Sequence, residues 1–225
     1  MSFRLPRQAL TALFSAVFLF GCSSNPATDS VVADSVSVFQ LLKRPTIAEQ
    51  QIAQSPYAIL SLQLDNRRPI FMNLGYLEDT RQYWYTRDLI GFAFEQGRLV
   101  ETYRLASGID LSGLRQAEIY QSFGFWSLRP QQTQRFSMRF DLPEQRLFGL
   151  VAHVVLQAGD VETKEVAGQQ RQVLSVTEQW TVADLNFSTE NWYWLDVTAQ
   201  QVMASRQHLA PSLPVIEYYV VKPWW

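Results

Sequence analysis

A mainly β fold, an antiparallel barrel or half-barrel with one or two short helices, is predicted by three features of the sequence. Apolar residues recur with period two from Tyr57 onward, as in Leu60, Leu62 and Leu64 or in Phe136, Met138, Phe140 and Leu142. That period places alternate side chains on opposite faces of a strand. The breaks between runs are of hairpin length and hold turn residues, among them Asp65 to Pro69 and Glu95-Gln96-Gly97. Counting these runs gives about ten to twelve strands, enough to curl a sheet into a barrel or half-barrel. The chain is also 47% hydrophobic, with Trp 7, Tyr 9 and Phe 14, too rich in core-forming side chains for a disordered protein.

Taken in order, Phe39 to Leu42 reads as a first helical turn. Thr46-Ile47-Ala48-Glu49 fits a capping box that opens a short helix through Gln54, and Ser55-Pro56 ends it. Two strands follow, the second over Ile70 to Tyr76, and Gln82 to Tyr85 forms a short aromatic strand. Leu89 to Phe94 pairs with Leu99 to Leu105 across a loop in which Gly97 takes the left-handed position of a bulged hairpin. Ser107 to Ser122 shows no clear period and reads as a lid or insertion with a helical turn around Leu111 to Tyr120. Phe136 to Leu142 is a half-buried strand, and Phe148 to Leu156, apolar at both alternating sets, reads as a central or helix-covered strand. Gly159, Asp160, Glu162, Lys164 and Glu165 read as a loop, Gln169 to Val182 as a strand, and Asp184 to Glu190 as a turn. Trp192 to Asp196, Val202 to His208 and Val215 to Val221 complete the set. No internal repeat is evident.

The N-terminus has its own logic. Arg4 and Arg7 precede an apolar run, Ala9 to Phe20, that closes on Leu19-Phe20-Gly21-Cys22. A positive region, a short apolar segment and a small residue before the break describe a cleaved secretion signal, whereas a membrane span needs about 20 apolar residues. Leu19-Phe20-Gly21-Cys22 resembles the lipobox of bacterial lipoproteins, departing from it at Phe20, where a smaller residue is usual. The resemblance implies that Cys22 receives diacylglycerol, becomes the first residue of the mature chain and is then acylated on its amino group, as by palmitate. It also implies sorting to the periplasmic face of the outer membrane, because no aspartate follows Cys22 in Ser23-Ser24. Two or more acyl chains give stable anchoring without a span.

Three segments result: a signal peptide over 1–21, a lipidated flexible tether over 22–37, and one β-rich periplasmic domain over 38–225. The tether is made of small and polar residues such as Ser23-Ser24-Asn25-Pro26. A coil of that length spans roughly 20 Å. The formal net charge is -2. A mildly acidic chain lacks the basic footprint that nucleic acid or anionic headgroups select. Cys22 is the only cysteine, so the domain has no disulfide, thiol nucleophile or cysteine metal ligand.

Several blocks together resemble the YjbF/GfcB family of lipoproteins, associated with exopolysaccharide and group 4 capsule production in Gram-negative bacteria. They are Ser55-Pro56-Tyr57-Ala58, Gln96-Gly97-Arg98-Leu99-Val100-Glu101-Thr102, Asn191-Trp192-Tyr193-Trp194-Leu195-Asp196, and Val202 with Ser205-Arg206-Gln207-His208-Leu209-Ala210-Pro211. Leu213-Pro214 and Lys222-Pro223 complete the match. The departures are Gln200-Gln201, where the family tends to have a glycine turn, and Glu101, where lysine is common. The resemblance implies a barrel-like β domain working near polysaccharide secretion. It transfers no catalytic residue.

Candidate chemistry is sparse. His153 and His208 are the only histidines, too few for a zinc site, and His153 reads as a hydrogen-bonded core residue in an apolar strand. No Gly-x-Ser-x-Gly elbow accompanies the serines. Asp184, Glu190, Asp196 and Glu217 are acids of the kind that could flank a glycosidic bond, though surface and turn roles account for them. Asp160, Glu162 and Glu165 lack the spacing of a calcium loop. Catalytic residues, metal ligands and cofactors are therefore expected to be none.

The aromatics Tyr83, Trp84, Tyr85, Trp192, Tyr193, Trp194, Trp224 and Trp225 are mostly core by strand geometry. Any that point outward beside Arg81 or Gln82 would form a glycan or partner surface, for which Tyr83, Trp84, Tyr85, Trp192 and Trp194 are the candidates. The expected function is non-enzymatic assistance to export or assembly of an extracellular or capsular polysaccharide, with an export protein or the glycan as partner. The alternative is a half-barrel carrier of lipid or lipoprotein, followed by a polysaccharide-modifying enzyme.

Overall fold

In the computed structural model the described residues are 49–104, 125–142, 145–166 and 169–224. The lipobox, the tether, the helical turn at 39–42 and the 107–122 segment lie outside them. Helix α1 spans Glu49–Gln54, and eleven strands follow: β1 Ile59–Leu64, β2 Ile70–Glu78, β3 Arg81–Tyr85, β4 Gly91–Glu95, β5 Arg98–Tyr103, β6 Thr133–Leu142, β7 Leu147–Val166, β8 Gln169–Val182, β9 Phe187–Asp196, β10 Gln201–Gln207 and β11 Ile216–Lys222. They form one antiparallel sheet in the order β5-β4-β3-β2-β1-β11-β10-β9-β8-β7-β6. Two meanders, β1 to β5 and β6 to β11, are thus joined where the first strand pairs with the last, with Leu62 opposite Tyr218.

The sheet curls into a half-barrel, as the period-two pattern predicts. Phe94 of β4 lies 4.6 Å, centroid to centroid, from Tyr218 of β11, although three strands separate them in the sheet. Leu60, Leu62, Met72, Trp84, Phe92, Met138, Val154, Val176 and Trp180 fill the concave side as one cluster. α1 is a single turn and a half, too short to hold itself. Lys222 at the end of β11 donates from Nζ to the Ser55 carbonyl at 2.5 Å and to those of Ile52 and Ala53 at 3.3 Å, satisfying the orphaned end of the helix.

Three expectations are corrected. The β4–β5 hairpin closes through two residues, Gln96 (φ 49) and Gly97 (φ 82), between the paired Glu95 and Arg98. Its bulge lies inside the ladder between Ala93 and Phe94. β7 is the second strand from the edge, and only one of its faces is buried: Leu150, Ala152, Val154 and Leu156 point inward while Phe148 is 67% exposed. Valines at outward positions hid the alternation, because β-branched residues favour strands whether or not they are buried. The loop read at Gly159 to Glu165 is strand as well: Glu162 to Val166 pair with Val173 to Gln169 in a two-stranded arm. Apart from the buried Val166 and Val173, that arm is largely open to solvent on both faces, which removes a regular polar–apolar alternation.

Candidate functional site

The five aromatic candidates do not come together. Trp84 (0% exposed) packs on the concave side with its edge toward Trp224, 5.5 Å away. Trp192 and Trp194 share one face of β9, stacked at 6.2 Å, and are 9% and 1% exposed. Buried rings cannot stack on a glycan, so these three are withdrawn from the outward surface. Tyr83 and Tyr85 lie on the convex side, where Tyr76 and Tyr103, not singled out by the sequence, join them.

Strand register explains that convex cluster. Tyr76, Tyr83, Ala93 and Glu101 are directly paired across β2, β3, β4 and β5, and Tyr85, Gly91 and Tyr103 form the next row. β4 contributes only Ala93 and Gly91 to this face, which leaves space above it for the rings on either side. Tyr83 and Tyr85 are each about 6.3 Å from Tyr103, and Ala93 is fully covered. Tyr85 spans between strands with one edge over Gly75 and the other over Gly91; a Cβ at either glycine would stand 2.7 Å from the ring. Tyr76 stacks on Tyr83 at 4.1 Å and 14°, leaving Tyr83 4% and itself 50% exposed.

Polar groups tie the cluster together. Tyr83 donates its hydroxyl to Glu78 at 2.8 Å, and Arg81 pairs with Glu95 at 3.0 Å. Burial, the Tyr76 hydroxyl and the nearby Glu101 carboxylate push the Tyr85 phenol up to about 12. Burial and the Glu101 carboxylate likewise push the Tyr103 phenol up. Tyr85 and Tyr103 therefore stay neutral at physiological pH.

The concave side carries a buried polar network that sequence reading missed. Arg98 donates to Glu178 Oε1 from Nε at 2.8 Å and from Nη2 at 2.5 Å, and both side chains are withdrawn from solvent. Asn191 and Tyr193 donate to Glu178 Oε2 at 3.1 and 2.9 Å. The Arg98 guanidinium also lies 4.1 Å above the Phe125 ring. Gln207 accepts from the Leu99 amide at 3.1 Å and donates to the Gly97 carbonyl at 2.9 Å, which Tyr218 also reaches at 3.0 Å. The tip of the β4–β5 hairpin is in this way fastened across the concavity to β8, β9, β10 and β11. The sequence signal is Arg98, Asn191, Tyr193 and Gln207 inside the matched blocks; their partner Glu178 lies in none.

Most of the remaining candidates are engaged in structural contacts. Asp196 is buried, pairs with Arg171 at 3.0 Å and accepts from the Thr198 and Ala199 amides at 2.9 Å. Glu217 pairs with Arg206 at 3.2 Å, and Asp184 is exposed in a 3-10 turn. Asp160 accepts from Gln131 at 2.8 Å, and Glu162 pairs with Lys164. His153 is exposed, not a core residue, because the outward face of β7 is open; its Nδ1 is 2.9 Å from Ser137 Oγ. His208 is half-buried edge-on to Phe187 at 5.1 Å. Among the described residues no group of three or more His, Cys, Asp or Glu is placed to hold a metal ion.

The same side chains that knit the hairpin to the sheet fall within a family match. The model described as "Group 4 capsule polysaccharide lipoprotein gfcB, YjbF" matches residues 28–221. The chain belongs to the YjbF family. An uncharacterized lipoprotein GfcB of Escherichia coli (strain K12) is 25% identical over 219 residues, covering 96% of this chain and 99% of that one. The crystal structure of the hypothetical lipoprotein YmcC from Escherichia coli (K12) superposes with a TM-score of 0.57 at 24% identity, covering 86% of this chain and 95% of the other. That likeness establishes a shared fold. The YjbF chain is thus one of a family of capsule-associated lipoproteins built on a curled β half-barrel.

Proposed function

We propose that the protein is a non-enzymatic lipoprotein, anchored by acyl chains on Cys22 at the periplasmic face of the outer membrane, that assists export or assembly of an extracellular or capsular polysaccharide. The observation that carries this reading is the family match over residues 28–221, which takes in almost the whole domain. Its side-chain chemistry supports a scaffold over an enzyme: Asp196, Glu178 and Glu217 are each committed to an arginine. Acyl anchoring at Cys22 would keep the domain beside partners in the same membrane. Anchoring there raises its effective concentration near them.

Mild crosslinking of intact cells that make the polysaccharide, followed by affinity recovery of the lipoprotein from solubilised outer membranes, tests the reading. A polysaccharide-export protein crosslinked to the wild type and lost from a Cys22→Ser copy is the expected result. Recovery of the lipoprotein in the inner-membrane fraction, or with no export protein attached, contradicts it.

A further inference from the structure

We propose that the convex tyrosine cluster is a carbohydrate-binding site, taking uncharged pyranose units against the rings of Tyr76, Tyr85 and Tyr103. The proposal deepens the function above and rests on it for the source of the sugar.

Tyr76 is 50% exposed, and its near-parallel neighbours lie at 4.1 Å and 14° (Tyr83) and 6.4 Å and 24° (Tyr85). Tyr85 and Tyr103 are half-buried, so three rings reach solvent side by side. The weakly positive C–H face of a pyranose matches the negative face of such rings, and tyrosine supplies that contact with little loss of side-chain freedom. The surface is also preorganised. Gly75 and Gly91 seat Tyr85 from both sides, and Glu78 holds the Tyr83 hydroxyl. A surface already fixed in place loses little on binding.

Charge selects the kind of sugar. The paired rows place Glu78, Arg81, Glu95 and Glu101 on this face, where Glu95 engages Arg81, while Arg98, opposite Glu95 in the ladder, is turned away to Glu178. Ionised carboxylates only accept hydrogen bonds, and sugar hydroxyls donate them. The same acids repel phosphates, uronates and anionic headgroups. An uncharged polyhydroxyl chain satisfies both the rings and the rim.

The test uses the full-length lipoprotein in detergent and a partial hydrolysate of the producing cell's extracellular polysaccharide, separated into neutral and acidic fragments by anion exchange. Calorimetric titration should show binding of the neutral fragments and weaker binding of acidic ones. Tyr76→Ala should weaken the neutral interaction about 3- to 10-fold, with Tyr76→Phe close to wild type. Glu101→Gln, which removes the charge but keeps an acceptor for the Tyr103 hydroxyl, should weaken it as well and keeps the test open if Tyr76→Ala fails to fold. No binding of neutral fragments, equal binding by wild type and the folded variants, or tighter binding of acidic fragments overturns the proposal. Gene deletion separates the two readings. Lost polysaccharide output without fragment binding refutes the site and leaves the assisting role. Fragment binding with unchanged output keeps the site and refutes the role.

Discussion

Arg98, at the start of an edge strand, reaches across the half-barrel to place its Nη2 2.5 Å from Glu178 Oε1, eighty residues along the chain and on the far side of the sheet. Neither side chain is open to water, at 2% and 0% exposure. The pair is therefore a lock between the two meanders and not a surface salt bridge. Removing one member strands the other charge in the core, which typically costs 3–5 kcal/mol, whereas apolar replacement of both partners is often far milder.

Denaturant unfolding of Arg98→Met, Glu178→Leu and the double variant should accordingly give two singles each destabilised by about 3 to 5 kcal/mol and a double less destabilised than their sum by about 2 kcal/mol or more. Additive losses would show that the two side chains contribute independently and that the hairpin is held by its other contacts.

Gly97 offers a second view of the same lock. Its φ of 82 lies in the left-handed region, and a Cβ there would collide with the Val202 side chain on β10. Gly97→Ala should lower stability by about 1 to 3 kcal/mol, combining backbone strain with overpacking. Val202→Ala, added to it, should recover the steric part. A Gly97→Ala protein as stable as wild type would mean that the hairpin tip can lift away from β10.

The ladder was legible because one-sided burial imposes period two, and it failed where burial was two-sided or absent. The 133–142 strand was read correctly from Phe136, Met138, Phe140 and Leu142, and observed β6 spans Thr133–Leu142. The outer half of β7 was misread as a loop because Asp160, Glu162 and Lys164 occupy strand positions with solvent on both sides. The aromatic surface was half legible: Tyr83 and Tyr85 belong to one cluster, but register alone adds Tyr76 and Tyr103. Trp84 separates from its neighbours Tyr83 and Tyr85 by the same alternation, since it faces the opposite side. The Arg98–Glu178 pairing is a property of the curl, and no local pattern encodes a contact across eighty residues.

His208 supplies a pH test. Burial lowers its affinity for a proton in the folded state below the ordinary value of 6.5, with Arg206 adding to the effect. The unfolded chain then binds the proton more readily, so stability is fully present above 6.5 and is lost as pH falls from there through the folded value. The thermal midpoint should drop between about pH 7 and about pH 5, and His208→Gln should flatten that drop. An identical acid profile in the variant would assign the loss to other groups.

Secreted polysaccharide is the quantity that tests most directly whether this lipoprotein assists polysaccharide secretion. Cells lacking the gene should release less of it than wild type, a restored wild-type copy should recover the full amount, and a secreted Cys22→Ser copy should recover only part, because an unanchored domain would lose the effective concentration that anchoring gives beside any partner in the same membrane. Unchanged output from the deletion strain, in conditions where the polysaccharide is made, would contradict the role.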